Sequence, residues 1–326
     1  MAFAILPEIQ KDLDILTARF NEYLDVKSTE PQAIVSYPFQ KPGKLLRPAC
    51  FLVCCHMLHY HEDQKYILGS VCEFIHIASL LHDDVIDEAK LRRNRFTSSQ
   101  IFGPTLAILS GDYIYATACH LMTTCGSFKV LNIFTDAVRQ MSLSEITQWE
   151  VLWDPDKSSK YYDSIIAGKT AGLFSACFEV PAVLAKASEA IQLEFKKFGF
   201  LLGKLFQMTD DYLDYVGTTG ELGKERLKDL KTGKITLPLL YAMEESRELS
   251  LRIKEISFKK EITETELLEI QKQVTDSGGL EKTQKKMSEI VLELETSLEN
   301  FKKNNFHVPT LEFLHDMMTY WLVRHQ

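Results

Sequence analysis

Two short runs of aspartate carry the chemical signal in this chain. Asp83, Asp84 and Asp87 close the first half of the stretch EFIHIASLLHDDVIDEAKLRRNRF (73–96). Asp210, Asp211 and Asp214 close a second apolar run containing Phe198, Leu201, Leu202, Leu205 and Phe206. A helix turns about 100° per residue, so Asp83 and Asp87 lie one above the other on one side, and the second run repeats that spacing. Carboxylates near the negative end of a helix are disfavoured by its dipole. Half-buried and mutually repelling, they call for cations. Arg92 and Arg93 follow too far along to pair with all three acids of the first run. Hard metal ions bridging the carboxylates to a phosphate-bearing ligand, with the arginines reaching for that ligand, would satisfy these charges. A single D-D-x-x-D is a weak motif, because acidic helix ends are common on solvated surfaces. Two copies, each closing a buried-looking helix, are far less easily accidental.

The elements that must position these groups read as helices. Val71, Phe74, Ile75, Ile77, Ala78, Leu80 and Leu81 make the helix before Asp83 apolar on nearly every side, the mark of an interior helix. His76 stands two turns before Asp83 on the same side, although a lone histidine on an apolar helix is more often a satisfied core residue. Residues 8–27 read as one amphipathic helix, with Ile9, Leu13, Leu16, Phe20, Tyr23 and Leu24 at steps of three and four. A loop rich in breakers follows, with Pro31, Pro38, Pro42 and Gly43. Lys44 and Arg47 then sit three apart at the start of a helix running to about Tyr60, where two cations at a helix N-terminus suit an anion. Thr105 to about Met122 forms a long helix with few charges, whose surplus apolar surface suits a subunit interface. A helix over 130–153 carries Glu145 and Gln148 at i, i+3. A further helix over 160–180 contains Gly168, Lys169 and Thr170. That G-K-T is not a phosphate-binding P-loop, because Asp163 occupies the place of the first glycine. Between Asp214 and Pro238 runs a glycine- and lysine-rich loop that reads as a cationic flap, including Lys224, Lys228, Lys231 and Lys234. The remainder is charge-rich amphipathic helix.

Composition narrows the class. The chain has 326 residues with 15 glycines and 10 prolines, sparse enough for long helices, and β-hairpin signals are absent. No linker, repeat or low-complexity segment divides it, so residues 1–326 read as a single all-α domain. The net charge of −8 argues against a nucleic-acid partner. Seven cysteines without a C-x-x-C suit free core thiols in a reducing cytoplasm. The first residues, MAFAILPEIQKDLD, do not read as a signal peptide and no 18-residue apolar run occurs, so no membrane span is expected, with peripheral membrane contact left open.

Taken together and in order, these residues resemble the all-trans polyprenyl diphosphate synthases, from about Lys41 to Pro238 and more loosely to Arg324. The resemblance implies a helical bundle of the isoprenoid synthase type with a central cavity. It further implies a magnesium-dependent prenyltransferase that joins isopentenyl diphosphate to an allylic diphosphate such as farnesyl diphosphate, with about three Mg2+ ions per site. GKLLRP (43–48) is similar to the family's basic segment, implying Lys44 and Arg47 on isopentenyl diphosphate with His76 and Arg93. The first aspartate motif implies Asp83 and Asp87 on magnesium, Asp84 in support and Arg92 on the allylic diphosphate. G-K-T implies Lys169 and Thr170 on the same diphosphate. QMTDDYLD (207–214) implies Gln207 on substrate and Asp210, Asp211 and Asp214 on magnesium. Lys234 and Lys224 would close over the diphosphate. The sequence departs from the family at Gln40, Lys41 and Pro42, at Asn94, at Ser144 before Glu145, and near Leu227; in each place the family usually carries glycine.

That reaction fits the residues. An allylic diphosphate ionises to a carbocation, so the leaving group needs charge neutralisation and no amino-acid nucleophile is required. Ala78 and Ser79, five and four residues before Asp83, would line the wall beneath the diphosphate. Their small size predicts a long product, the C40 octaprenyl class being favoured by the resemblance, as for quinone side chains. Alternatives are a geranylgeranyl synthase, a class I terpene cyclase, a non-catalytic subunit, and a di-iron bundle built on Glu73/His76 and Glu312/His315. Intact triplets favour an active homodimer. The whole reading expects the two aspartate triplets to converge on one pyrophosphate.

Overall fold

The computed structural model describes residues 5–41, 43–216, 227–304 and 306–323. The chain is all-α but for one small hairpin among the described residues. Its residues group into two compact units, 1–138 with 174–199 and 301–314, and 139–173 with 200–300 and 315–326. The boundaries between them fall inside helices.

In the first unit the organising element is α5 (Gln64–Ile86), preceded by α1 (Pro7–Ala18), α2 (Phe20–Tyr23), α3 (Thr29–Ser36) and α4 (Leu46–Met57). As its composition predicts, α5 is interior: Val71, Phe74, Ile75, Ile77, Ala78 and Leu81 are all buried. Gly69 lets α1 approach closely, since a Cβ there would stand 2.6 Å from Leu16 Cδ1. A buried carboxylate ties the helices together. Asp12 accepts from Lys65 Nζ at 2.6 Å and Tyr66 OH at 2.7 Å, and contacts His56 Nε2 at 2.8 Å. After α5 come β1 (Leu91–Arg92), β2 (Arg95–Phe96), α6 (Ser98–Phe102) and α7 (Pro104–Thr124). α7 lies close against α5, where a Cβ on Gly111 would meet the His82 ring at 2.5 Å and the Ala78 carbonyl at 3.3 Å. Five cysteines (50, 54, 55, 72 and 177) are free and buried in this unit, as their apolar settings lead one to expect.

Several local expectations are corrected. The helix expected over 8–27 breaks at Arg19 and ends at Tyr23. The segment expected as loop contains α3, because Pro31 falls in its first turn, where its missing N–H costs nothing. A β-hairpin does form, over 91–96.

The second unit is built on the end of α8 (Phe128–Glu150), α9 (Pro155–Ile166) and the later part of α11 (Glu189–Val216), with further helices at Leu237–Glu245, Arg247–Lys259, Glu264–Asp276 and Gly279–Lys303. The single helix expected over 160–180 is instead α9, a π-turn over Ala167–Ala171, and α10 (Gly172–Leu184). Thr263 and Glu266 form a capping box at the start of Glu264–Asp276. Gly233, at φ +82°, turns the chain so tightly that a Cβ would strike the Trp153 ring at 2.4 Å. No helix among the described residues is long and apolar enough to cross a membrane.

Candidate functional site

In the first unit, α5 delivers Asp83 and Asp84 in its last turn, and Asp87 terminates it. Asp83 and Asp87 keep part of their surface exposed, whereas Asp84 is buried. Burial of a carboxylate demands a partner. Asp84 has one in Arg92, whose Nε lies 2.8 and 3.0 Å from its two oxygens, with Nη2 at 2.8 Å from Oδ1. Arg92 is thus engaged by an aspartate rather than extended toward a ligand.

The hairpin explains how two adjacent arginines reach different places. Arg92 and Arg95 are cross-strand partners, and the two-residue loop between them, Arg93 and Asn94, has φ of +52° and +59°. Two positive φ values define the loop that matches strand twist, and asparagine tolerates that region well. Asn94 therefore supplies the positive φ for which glycine would also serve. Opposed like charges would repel, but each has its own neighbour. Arg92 has Asp84, while Arg95 stacks over the Tyr37 ring at 4.7 Å and donates to Gln40 Oε1 at 3.2 Å. The Tyr37 hydroxyl donates to the Phe96 carbonyl at 2.7 Å, pinning the second strand. An open cavity lies against the hairpin, lined by Tyr37, Lys41, Asp84, Arg92, Arg93 and Arg95.

Arg93 turns toward the 43–47 segment. A Cβ on Gly43 would lie 2.1 Å from its Nη1, so any larger residue must displace this guanidinium. Lys44 is exposed and precedes the helix; Leu45, at φ +49°, separates it from α4, so the expected pairing of Lys44 and Arg47 on one helical turn does not form. Arg47 is buried, stacks over Phe174 at 4.9 Å, and leaves its Nε without a hydrogen-bond partner. Burial pushes its pKa down from the ordinary value. Burial raises that of Glu73, against the pull of Arg47 and Arg93. His76 is pushed well below the usual imidazole range, first by burial and then by Arg47, Arg93 and Arg92, so it is neutral at pH 7. Cations around a neutral imidazole, one with a buried unsatisfied N–H, make a site suited to an anion.

In the second unit, Thr170 donates to Gln207 Oε1 at 2.6 Å, Gln207 Nε2 to Asp211 Oδ1 at 2.9 Å, and the Tyr162 hydroxyl to Asp211 Oδ2 at 2.6 Å. Asp211 is buried and raised to about 8, chiefly by burial, then by Asp229 and Asp210 against the hydrogen bonds from Tyr162 and Gln207. Asp214 is raised to about 7 by burial and Asp229, although the backbone N–H groups of Asp229 and Lys228 oppose the shift. Those N–H groups lie 3.2 and 3.1 Å from its two oxygens, so Asp214 caps the short helix Lys228–Lys231. Leu227, just before that helix, sits at φ +54°. Asp210 is partly exposed. Lys169 Nζ donates to Glu145 Oε2 and Gln148 Oε1, both at 2.7 Å. Lys234 anchors its backbone on the Asp229 carbonyl at 2.8 Å, and Lys224 lies outside the described residues.

The sequence thus places Arg47, His76 and Arg93 within electrostatic reach of one another, and links Thr170, Gln207 and Asp211. Reasoning from sequence missed Tyr162, Asp229, Glu73 as a buried acid among cations, and Tyr37. Only Asp229, in the acidic and basic run after Gly223, left any signal. Ala78 is buried on α5, and Ser79 is partly exposed with its hydroxyl on the His76 carbonyl at 2.8 Å. Among the described residues no three metal-ligating side chains are gathered, the aspartates of both triplets included; the di-iron reading fails because Glu312 and His315 are both exposed.

The family model described as polyprenyl synthetase matches residues 29–274. An octaprenyl diphosphate synthase of Haemophilus influenzae is 36% identical over 242 residues, covering 73% of this chain and 74% of that protein. One from Escherichia coli is 38% identical over 201 residues, 62% of each chain. Among solved structures, a polyprenyl synthase of Caulobacter crescentus complexed with calcium and isoprenyl diphosphate superposes with a TM-score of 0.91 at 29% identity, covering 100% of this chain and 99% of that one. A decaprenyl diphosphate synthase of Rhodobacter capsulatus gives 0.89 at 28% identity over 98% of each.

Proposed function

The chain belongs to the polyprenyl synthetase family and is a long-chain all-trans prenyltransferase of isoprenoid biosynthesis, and from that premise we propose that it builds the C40 octaprenyl diphosphate from isopentenyl diphosphate and a short allylic diphosphate. The octaprenyl names of the relatives support the length, as do the small side chains of Ala78 and Ser79.

The observation that carries the reading is the state of the second triplet. Asp211 and Asp214 have carboxyls raised to about 8 and 7 by burial and by neighbouring acids. A cation bound beside such groups favours their ionised form. Asp83, Asp87, Asp210 and Asp211 are the residues that would hold Mg2+. Asp214, occupied as a helix cap, would do so only by giving up its backbone partners. When bound, the ions neutralise the departing diphosphate; three per site is our proposal, and a relative's calcium and isoprenyl diphosphate complex supports the divalent chemistry.

In this reading Lys44, Arg47, His76 and Arg93 hold isopentenyl diphosphate. His76, being neutral, both donates and accepts a hydrogen bond. Lys169, Thr170 and Gln207 hold the allylic diphosphate, Arg92 joins them only by turning donors away from Asp84, and Lys224 and Lys234 close over it. The allylic C1–O bond breaks with its electron pair leaving on diphosphate. Isopentenyl C4 uses the double-bond electrons to form the new C–C bond to C1, the positive charge passes to isopentenyl C3, and a proton lost from C2 to the departed diphosphate leaves a new C2–C3 double bond. Buried walls such as Ile77 and Leu81 exclude water that would otherwise quench the cation.

The reading includes one catalytic domain per chain and a homodimer formed through α7, where Leu106, Leu109 and Tyr113 are exposed at steps of three and four. It also includes a cytoplasmic location and peripheral membrane contact during product release. The test is incubation of purified protein with Mg2+, farnesyl diphosphate and labelled isopentenyl diphosphate, then chromatography of the dephosphorylated products. An octaprenyl alcohol is expected. A product no longer than C20 refutes the chain length, and unconsumed isopentenyl diphosphate refutes the reaction.

A further inference from the structure

Glu145 and Gln148 stand on one face of α8, and nothing in the proposed chemistry uses them. Both accept hydrogen bonds from the Lys169 ammonium at 2.7 Å, and Glu145 Oε2 makes an ion pair with it. The lysine itself stands in the π-turn over Ala167–Ala171. A π-turn inserts a residue into a helix and redirects the chain beyond it, a device found mainly at functional positions. The turn is keyed to α8 one residue before Glu145. A Cβ at Gly168 would lie 1.8 Å from Ser144 Oγ and 2.7 Å from the Gln140 carbonyl, so the two backbones meet as closely as glycine permits. Ser144 Oγ is held in turn by the Gln140 carbonyl at 2.7 Å.

We propose that Glu145 and Gln148 are positioning residues that fix the Lys169 ammonium for the allylic diphosphate. The inference rests on the reading of Lys169 as a diphosphate ligand. Lysine is a point charge on a flexible stem with three rotatable donors, and fixing it at the moment of binding costs rotamer entropy. Two acceptors at 2.7 Å remove that freedom beforehand. A carboxylate and an amide at i, i+3 on a rigid helix can do this without moving when substrate arrives. The opposite role, in which Glu145 competes with the diphosphate for the lysine, predicts the opposite sign for its removal, so the two are separable.

The experiment measures initial rates with each substrate varied separately, for Glu145→Ala, Glu145→Gln, Gln148→Ala and Lys169→Ala, and for Glu145→Ala combined with Lys169→Ala. Losing a charge-assisted hydrogen bond predicts that Glu145→Ala raises the allylic KM about tenfold and leaves the isopentenyl KM within about twofold. Glu145→Gln, which keeps an acceptor, recovers most of the loss, and Gln148→Ala raises the allylic KM about threefold. On the Lys169→Ala background, Glu145→Ala has less than about a twofold effect, because the interaction it served is already gone. Thermal melting identifies any variant that fails to fold, in which case Gln148→Ala and Glu145→Gln carry the test. An unchanged or lowered allylic KM in the folded Glu145 variants, or additive effects in the double variant, overturns the positioning role. If Lys169→Ala alone leaves the allylic KM and kcat unchanged, the assignment of Lys169 itself has failed, and the positioning role with it.

Discussion

Gly43→Ala should impair one substrate and spare the other. A Cβ at that position would stand 2.1 Å from Arg93 Nη1, 2.4 Å from Nη2 and 2.5 Å from Cζ. Ordinary contact begins near 3.4 Å, so the guanidinium must retreat by about 1.3 Å. It can do so cheaply, being the far end of a flexible side chain, and the fold should survive. The displaced cation, however, can no longer hold its ligand at hydrogen-bond distance. A hydrogen bond to a charged group contributes about 1.5–3 kcal/mol, so the KM for isopentenyl diphosphate should rise roughly ten- to hundredfold. The allylic KM should change little. Steady-state kinetics with each substrate varied, together with a melting curve, measure all three quantities. Gly43→Ala should also add almost nothing to Arg93→Ala, since both act on one interaction. An unchanged isopentenyl KM in the folded variant, or additive losses, would refute the assignment of Arg93.

Other consequences concern stability, pH and product. Gly168→Ala should cost more stability than Gly43→Ala, because its Cβ meets the Gln140 backbone carbonyl as well as Ser144 Oγ. Adding Ser144→Gly should restore part of that loss in a denaturant titration; no restoration would show that the π-turn is not keyed to α8 there. Asp211 and Asp214 have folded pKa values raised to about 8 and 7 from an unfolded value near 3.8. Their contribution is therefore fully present below about pH 4 and is lost as pH rises toward 8. The ligand-free protein should melt at lower temperature at pH 8 than at pH 6, and Mg2+ with pyrophosphate should raise the melting temperature more at the higher pH. A ligand-induced gain that is equal at the two pH values counts against these acids as the cation site. Ala78→Phe or Ser79→Phe should shorten the product by at least one isoprene unit, read by chromatography, and an unchanged length would remove both residues from the chain-length wall.

Much of this architecture is visible in the sequence because periodicity reports burial directly. The all-round apolar pattern before Asp83 gives the interior α5, and proline marks the starts of α1, α7 and α9. What escaped are features that depend on backbone exceptions or on neighbours distant in sequence. The hairpin at 91–96 is written in charged residues, so no alternation betrays it, although Asn94 is the residue that such a loop favours. The π-turn leaves no periodic trace, since its flanking helices keep an ordinary pattern. Asp214 looks like a ligand by spacing and serves as a cap, because Lys228 and Asp229 return to it across the intervening segment. Arg47 was legible as a cation but not as a buried one, since a sequence does not tell which arginine loses its water.

The central claim is that both aspartate triplets act on one pyrophosphate through divalent ions. Titration calorimetry of Mg2+-dependent pyrophosphate binding, for the unaltered protein and for Asp83→Ala and Asp210→Ala, tests it most directly. Shared cations predict saturable binding to the unaltered protein and its loss, by about a hundredfold or more in affinity (about 2.7 kcal/mol), in either variant alone. Undiminished binding in either variant, with its fold intact, contradicts the claim.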